Sequence, residues 1–177
     1  MNYFELYGIP VALSVDAVKL KKRFYELSRE FHPDLHSQEG EKLQEEVLQK
    51  SADINRAYRI FQNEDATIRY VLMMMGLMEE EEKYALNPDF LGEVMDINEQ
   101  LMELEMEPDE AGLAKAEEES NQLLSKIYGD VELVIKNYKE GVSSEEELLR
   151  VKGYYYRKKY LQRILDKISQ LRNIATL

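Results

Sequence analysis

Apolar residues recur along this chain at helical spacing and almost nowhere at the alternation of a strand. Ala17, Leu20, Phe24, Leu27 and Phe31 follow the i, i+3, i+4, i+7 rhythm of one buried stripe, predicting a helix from Ser14 to Phe31. Ser14 suits its N-cap and Asp16 its first turn. A second helix is predicted from Glu41 to Gln62, with Leu43, Val47, Ile54, Tyr58 and Phe61 on one face. Ser51 and Ala57 allow close approach there. These two stripes predict an antiparallel hairpin packed on the opening segment Tyr3-Phe4-Glu5-Leu6-Tyr7. A shorter helix, Asp65 to Met75, ends at Gly76. Three longer ones follow: Asp89 to Glu107, Asp109 to Glu140 and Glu145 to Asn173. Pro108 separates the first two, and Gly141 with Ser143-Ser144 the last two, while Gly129 marks a bend in the middle one. Short connections between long amphipathic helices imply an antiparallel three-helix bundle. The expected fold class is therefore all-α.

The connection between the hairpin helices carries the first candidate chemistry. Proline disfavours helical geometry at the residue before it, so His32-Pro33-Asp34 sits in the loop. At about 100° per residue, Lys22 and Arg29 fall opposite the buried stripe of the preceding helix, with Lys19 and Arg23 on the adjoining flank. Glu26 and Glu30 interrupt this positive face, so it is no nucleic-acid stripe. A loop acid beside a cationic helix offers a protein partner two charge signs at fixed spacing.

The helix from Asp89 has two apolar stripes. Phe90, Val94, Ile97, Leu101 and Leu104 form a core stripe. Leu91, Met95 and Met102, with Asn98 between, form another about 120° away, beside Asp96, Glu99 and Glu103. Either neighbouring helices bury both, or the second is a binding patch rimmed by carboxylates, where flexible methionines suit adaptable recognition.

Composition narrows the partners. The formal charge of −12 is uneven: residues 1–78 hold 10 Lys/Arg against 12 Asp/Glu, residues 79–177 hold 13 against 23. That balance disfavours nucleic acid and anionic membranes and favours a basic protein partner for the second half. The four-acid run Glu79 to Glu82 and Asn87-Pro88-Asp89 mark the domain junction, giving domains at 1–78 and 89–177 with an acidic linker at 79–88. No apolar run approaches roughly eighteen residues, so no membrane span is expected. There is no cysteine and no basic-then-apolar leader, which is compatible with a reducing cytoplasm, the expected compartment.

His32-Pro33-Asp34 at the tip of a helical hairpin near the N-terminus resembles a J-domain. The order of parts resembles the HscB family, J-domain co-chaperones of iron–sulfur cluster biogenesis. The matching pieces are Tyr3-Phe4-Glu5-Leu6-Tyr7-Gly8-Ile9-Pro10, His32-Pro33-Asp34, the run Gln49 to Tyr58, and Asp89-Phe90-Leu91. The resemblance implies an L-shaped, all-helical protein whose J-domain docks on a DnaK/HscA-type chaperone and stimulates its ATPase. It also implies a C-terminal bundle that binds the cluster scaffold protein IscU. By position, His32, Pro33 and Asp34 are then the activating loop, with Lys22, Arg23 and Arg29 as docking cations. Leu91, Met95, Asp96, Glu99 and Glu103 match the scaffold-binding face, joined by Tyr155 or Tyr156 of the last helix. Leu35 stands where J-domains usually have lysine, and Gly92 where the family usually has a large apolar residue. Asn63-Glu64-Asp65 lacks the proline and Arg-Ala pair common before Tyr70.

Two rival readings differ in class. A J-domain protein for another client would keep everything through Met75 and use the bundle elsewhere. An enzyme or metal protein would rest on His32 and His36, but Pro33 breaks the helix that their spacing needs, and no third His or Cys exists. No Gly-rich phosphate loop or nucleophile elbow appears. A non-enzymatic protein without cofactor, metal or catalytic residue is expected.

Overall fold

The computed structural model describes residues 1–175, which are helical throughout apart from turns and connections. They form two compact units, Met1–Met78 with Ile135–Glu145, and Glu79–Val134 with the chain from Glu146 onward.

The first unit begins with α1, Tyr3–Tyr7. Five residues rarely hold a helix alone, so its ends are capped reciprocally. The Asn2 side chain accepts from the Glu5 amide, and the Glu5 carboxylate accepts from the Asn2 amide. Gly8 closes it at φ +64°. The helix buries Phe4 and Tyr7. The Tyr7 hydroxyl donates to the Ile54 carbonyl at 2.6 Å, and burial pushes its phenol up.

Helix α2, Ala17–Glu30, and α3, Glu41–Phe61, make the hairpin. Phe24 stacks on Tyr58 at 4.1 Å and Lys50 lies over the Phe31 ring, so the two run antiparallel. The expected N-cap moves: Asp16, not Ser14, caps α2 by accepting from the Lys19 amide at 2.8 Å. Leu20 and Leu27 are buried as expected, but Ala17 is exposed because it lies in the first turn, at the open end of the hairpin. Leu43 is also exposed, since α3 runs past the end of the shorter α2. Helix α4, Glu64–Met74, is capped by Asn63 and buries Ile68, Val71 and Leu72. Tyr70 stacks on Tyr3 at 4.9 Å and ties α4 to α1.

The second unit is built on α5, Pro88–Met106, α6, Glu110–Gly129, and α8, Glu145–Ala175. Pro88 starts α5 where its missing N–H costs nothing. Ion pairs set the directions. Lys126–Glu93 makes α6 antiparallel to α5, and Arg172 with Glu110 and Glu117 makes α8 antiparallel to α6. Helix α8 therefore runs parallel to α5, with Lys167 on Glu105. All five residues of the α5 core stripe are buried, against Leu113, Ala116 and Ile127 of α6 and Leu161, Ile164 and Ile168 of α8.

The middle helix expected from Asp109 to Glu140 is two helices. It stops at Gly129, and α7, Glu132–Asn137, follows. Glycine is the weakest helix former there apart from proline, and the break is stabilised from outside: Arg150 of α8 donates to the Asp130 carbonyl at 2.7 Å. The acidic segment 79–87 packs on α8 within this unit. Lys152 Nζ lies 2.8 Å from Glu82, both side chains largely buried, and Tyr84 stacks on Tyr156 at 4.5 Å. A Cβ on Gly153 would meet the Tyr84 hydroxyl at 3.3 Å, so a side chain there would press on that stack.

Candidate functional site

The His32-Pro33-Asp34 loop is one turn of 3-10 helix, Pro33–His36, wedged between two helix ends. His32 caps it, Nδ1 accepting from the Asp34 amide at 3.3 Å. His36 anchors it. Its Nε2 donates to the Glu30 carbonyl at 3.0 Å, one of the carbonyls left unpaired where α2 ends, and its Nδ1 lies 2.9 Å from Glu39. The Glu30 carbonyl and the Glu39 carboxylate together hold the imidazole above its ordinary pKa. Gln44 of α3 donates to the carbonyls of Ser37 and Glu39. This frame leaves the Asp34 side chain 90% exposed, with His32 Nδ1 at 3.7 Å from its carboxylate.

Lys22 and Arg29 are exposed on α2 as the periodicity requires. Arg23 differs from them. Its Nε donates to the Tyr7 carbonyl at 2.8 Å and its guanidinium pairs with Glu26 at 3.2 Å, so it fastens α2 to α1.

On α5 the two stripes separate. Leu91, Met95 and Met102 are 41%, 56% and 68% exposed, while the core stripe is buried. Asp96, Glu99 and Glu103 are exposed beside them. Gly92 leaves open space where a side chain would stand. Of the two candidate tyrosines of the last helix, Tyr155 is buried and Tyr156 is half-buried against Tyr84. Tyr160 reaches the second stripe. Its hydroxyl accepts from Asn98 at 2.7 Å and its ring meets Phe90 edge-on at 5.8 Å. Tyr160 lies one turn after Tyr156 on the same face of α8, so spacing alone does not separate the two.

Residues 86–169 match the family model described as the HSCB C-terminal oligomerisation domain. A co-chaperone protein HscB homologue of Vibrio atlanticus is 33% identical over 138 residues, covering 75% of this chain and 81% of that protein. The chain belongs to the HscB family. HscB homologues of Vibrio vulnificus are 37% identical over 105 residues, and the alignment spans 61% of their length. The fold is also that of solved HscB proteins. Chaperone HscB from Vibrio cholerae superposes with a TM-score of 0.68 over 98% of both chains at 23% identity. The human co-chaperone HscB gives 0.72 over 97% of this chain and 82% of its own at 24%. In this HscB-family chain no described helix is long and apolar enough to cross a membrane.

Proposed function

We propose that this HscB-family chain is a co-chaperone with two working ends. Residues 1–78 act as a J-domain that docks on a DnaK/HscA-type chaperone and stimulates its ATPase. Residues 89–177 bind the iron–sulfur scaffold protein IscU and bring it to that chaperone, in the cytoplasm, with segment 79–88 between them. The chain itself supplies no catalytic group.

The observation that carries the reading is the Asp34 carboxylate, held 90% exposed at the tip of a loop that is otherwise bonded at both ends. An exposed acid on a braced loop is what a chaperone cation can read, and Lys22 and Arg29 on the preceding helix supply the other sign of a two-sign pattern. On the other unit, exposed Leu91 and Met95 beside Asp96, Glu99 and Glu103 support an apolar contact rimmed by acids, suited to a basic client. Tyr160, bonded to Asn98, joins it, next to Tyr156 one turn earlier on α8.

Steady-state ATPase assays of the chaperone with wild type and Asp34→Asn test this. Stimulation disappears in the variant while its helicity and melting stay unchanged, because exposed loop substitutions cost little stability. Full stimulation by Asp34→Asn overturns the reading.

A further inference from the structure

Below Asn98 the second stripe opens into a groove between α5 and α8 of about 470 Å³, lined by Asn98, Met102, Tyr160, Arg163, Ile164 and Lys167 among others. Its ends are fixed by two interactions. The Asn98–Tyr160 hydrogen bond closes one at 2.7 Å, and the Lys167–Glu105 ion pair closes the other at 2.9 Å. Its floor is apolar, with Leu101 and Ile164 buried beneath, and Met102 stands 68% exposed at the rim. The groove is thus a preformed socket continuous with the Leu91–Met95 surface.

One charge in it stands apart. Lys167 is neutralised by Glu105, and on the same helix Lys152 and Arg172 also have carboxylate partners. Arg163 is exposed on the groove wall, and no carboxylate of the described residues pairs with it. In a unit this acidic, a cation left unpaired beside an apolar socket is available to an incoming anion. Arginine also suits the task, because its planar fork matches a carboxylate with two parallel hydrogen bonds.

We infer that the client surface extends into this groove, which takes an apolar side chain of the client lying next to a client carboxylate that pairs with Arg163. The inference rests on the proposed client reading and adds its specificity. Asp96, Glu99 and Glu103 on the outer flank of α5 select basic groups, and Arg163 on the α8 flank selects an acid. A client helix with the two signs on opposite edges of an apolar ridge fits in one orientation only; reversed, it sets like charges against each other. A second copy of this chain is disfavoured as occupant, since two molecules of net charge −12 repel.

The test is a binding-kinetics series with purified apo scaffold protein at low and high salt. Arg163→Glu slows association by about fivefold or more and reduces its salt dependence, while Arg163→Lys keeps most of the rate. Met102→Ala speeds dissociation by about fivefold, as loss of an apolar rim contact does. Leu91→Ala with Met95→Ala serves as the reference. If that reference variant binds poorly while Arg163→Glu and Met102→Ala bind as wild type, the groove is idle and the inference is overturned, with the client reading intact. If none of these variants changes binding, the client reading itself fails. If Arg163→Glu abolishes self-association in sedimentation runs but leaves the scaffold kinetics unchanged, the occupant is a second copy and the inference is wrong.

Discussion

The side-chain amide of Asn98 donates a 2.7 Å hydrogen bond to the hydroxyl of Tyr160. Asn98 is the polar member of the otherwise apolar second stripe on α5, and Tyr160 comes from α8, so this bond holds the tyrosine ring beside the stripe. The edge-on contact with buried Phe90 fixes the ring from the core side. Tyr160→Phe keeps the ring and removes the bond. Chemical denaturation is expected to show a loss of about 1 kcal/mol, the usual net value of one partly exposed hydrogen bond. Scaffold binding falls only slightly in that variant and strongly in Tyr160→Ala.

The two stripes of α5 predict opposite phenotypes. Leu101→Ala leaves a hole among buried neighbours and costs about 2–5 kcal/mol in a denaturant melt. Leu91→Ala with Met95→Ala removes exposed side chains, so the melt barely moves while scaffold affinity drops by about tenfold or more. A large destabilisation by the second variant contradicts the assignment of that stripe as a contact surface.

The basic residues of α2 divide in the same way. Charge reversal at Lys22 and Arg29 slows chaperone association and leaves stability near wild type, since both side chains are exposed. Arg23→Ala also loses the bond to the Tyr7 carbonyl, and is expected to cost about 1–2 kcal/mol of stability beside any docking effect. Stopped-flow association and thermal melts on the same variants separate the two roles.

Much of this was legible in the sequence, for a physical reason. Period 3.6 divides α5 into two stripes, and every residue placed on the core stripe by spacing is buried; that the second stripe stays exposed depends on how α6 and α8 pack, which spacing leaves open. The loop was legible because Pro33 restricts its neighbours. What escaped depended on partners distant in the chain. Ser14 and Asp16 are both good caps, and only the turn of the chain into α2 selects Asp16. The helix break after Gly129 is completed by Arg150, and the acidic run gains its meaning from Lys152. Tyr155, Tyr156 and Tyr160 are equivalent in type, and helix-on-helix register alone decides which one meets Asn98.

Two titrations have opposite pH signs. His36 is raised by the Glu30 carbonyl and Glu39, so the stability it contributes is complete below the unfolded imidazole value of about 6.5 and fades as pH rises through its higher folded value. Glu82 is lowered, chiefly by its hydrogen bond from Lys152, so its contribution stands above the unfolded carboxyl value and is lost as pH falls through the folded one. Ring-proton NMR is expected to give His36 a midpoint above that of a free histidine, returning toward it in Glu39→Gln. In Glu82→Gln, amide exchange across residues 80–86 is expected to speed up at neutral pH and to lose its acid dependence.

The most direct test of the two-ended account is the chaperone's ATPase rate with this chain and the apo scaffold protein present together. With wild type, the pair raises the rate well above what either raises alone. Leu91→Ala with Met95→Ala is expected to keep the stimulation given by the chain alone and to lose the added increment from the scaffold. Asp34→Asn loses both. If the α5 variant retains the full increment, or Asp34→Asn still stimulates, the chain does not join a client to a chaperone through these two sites.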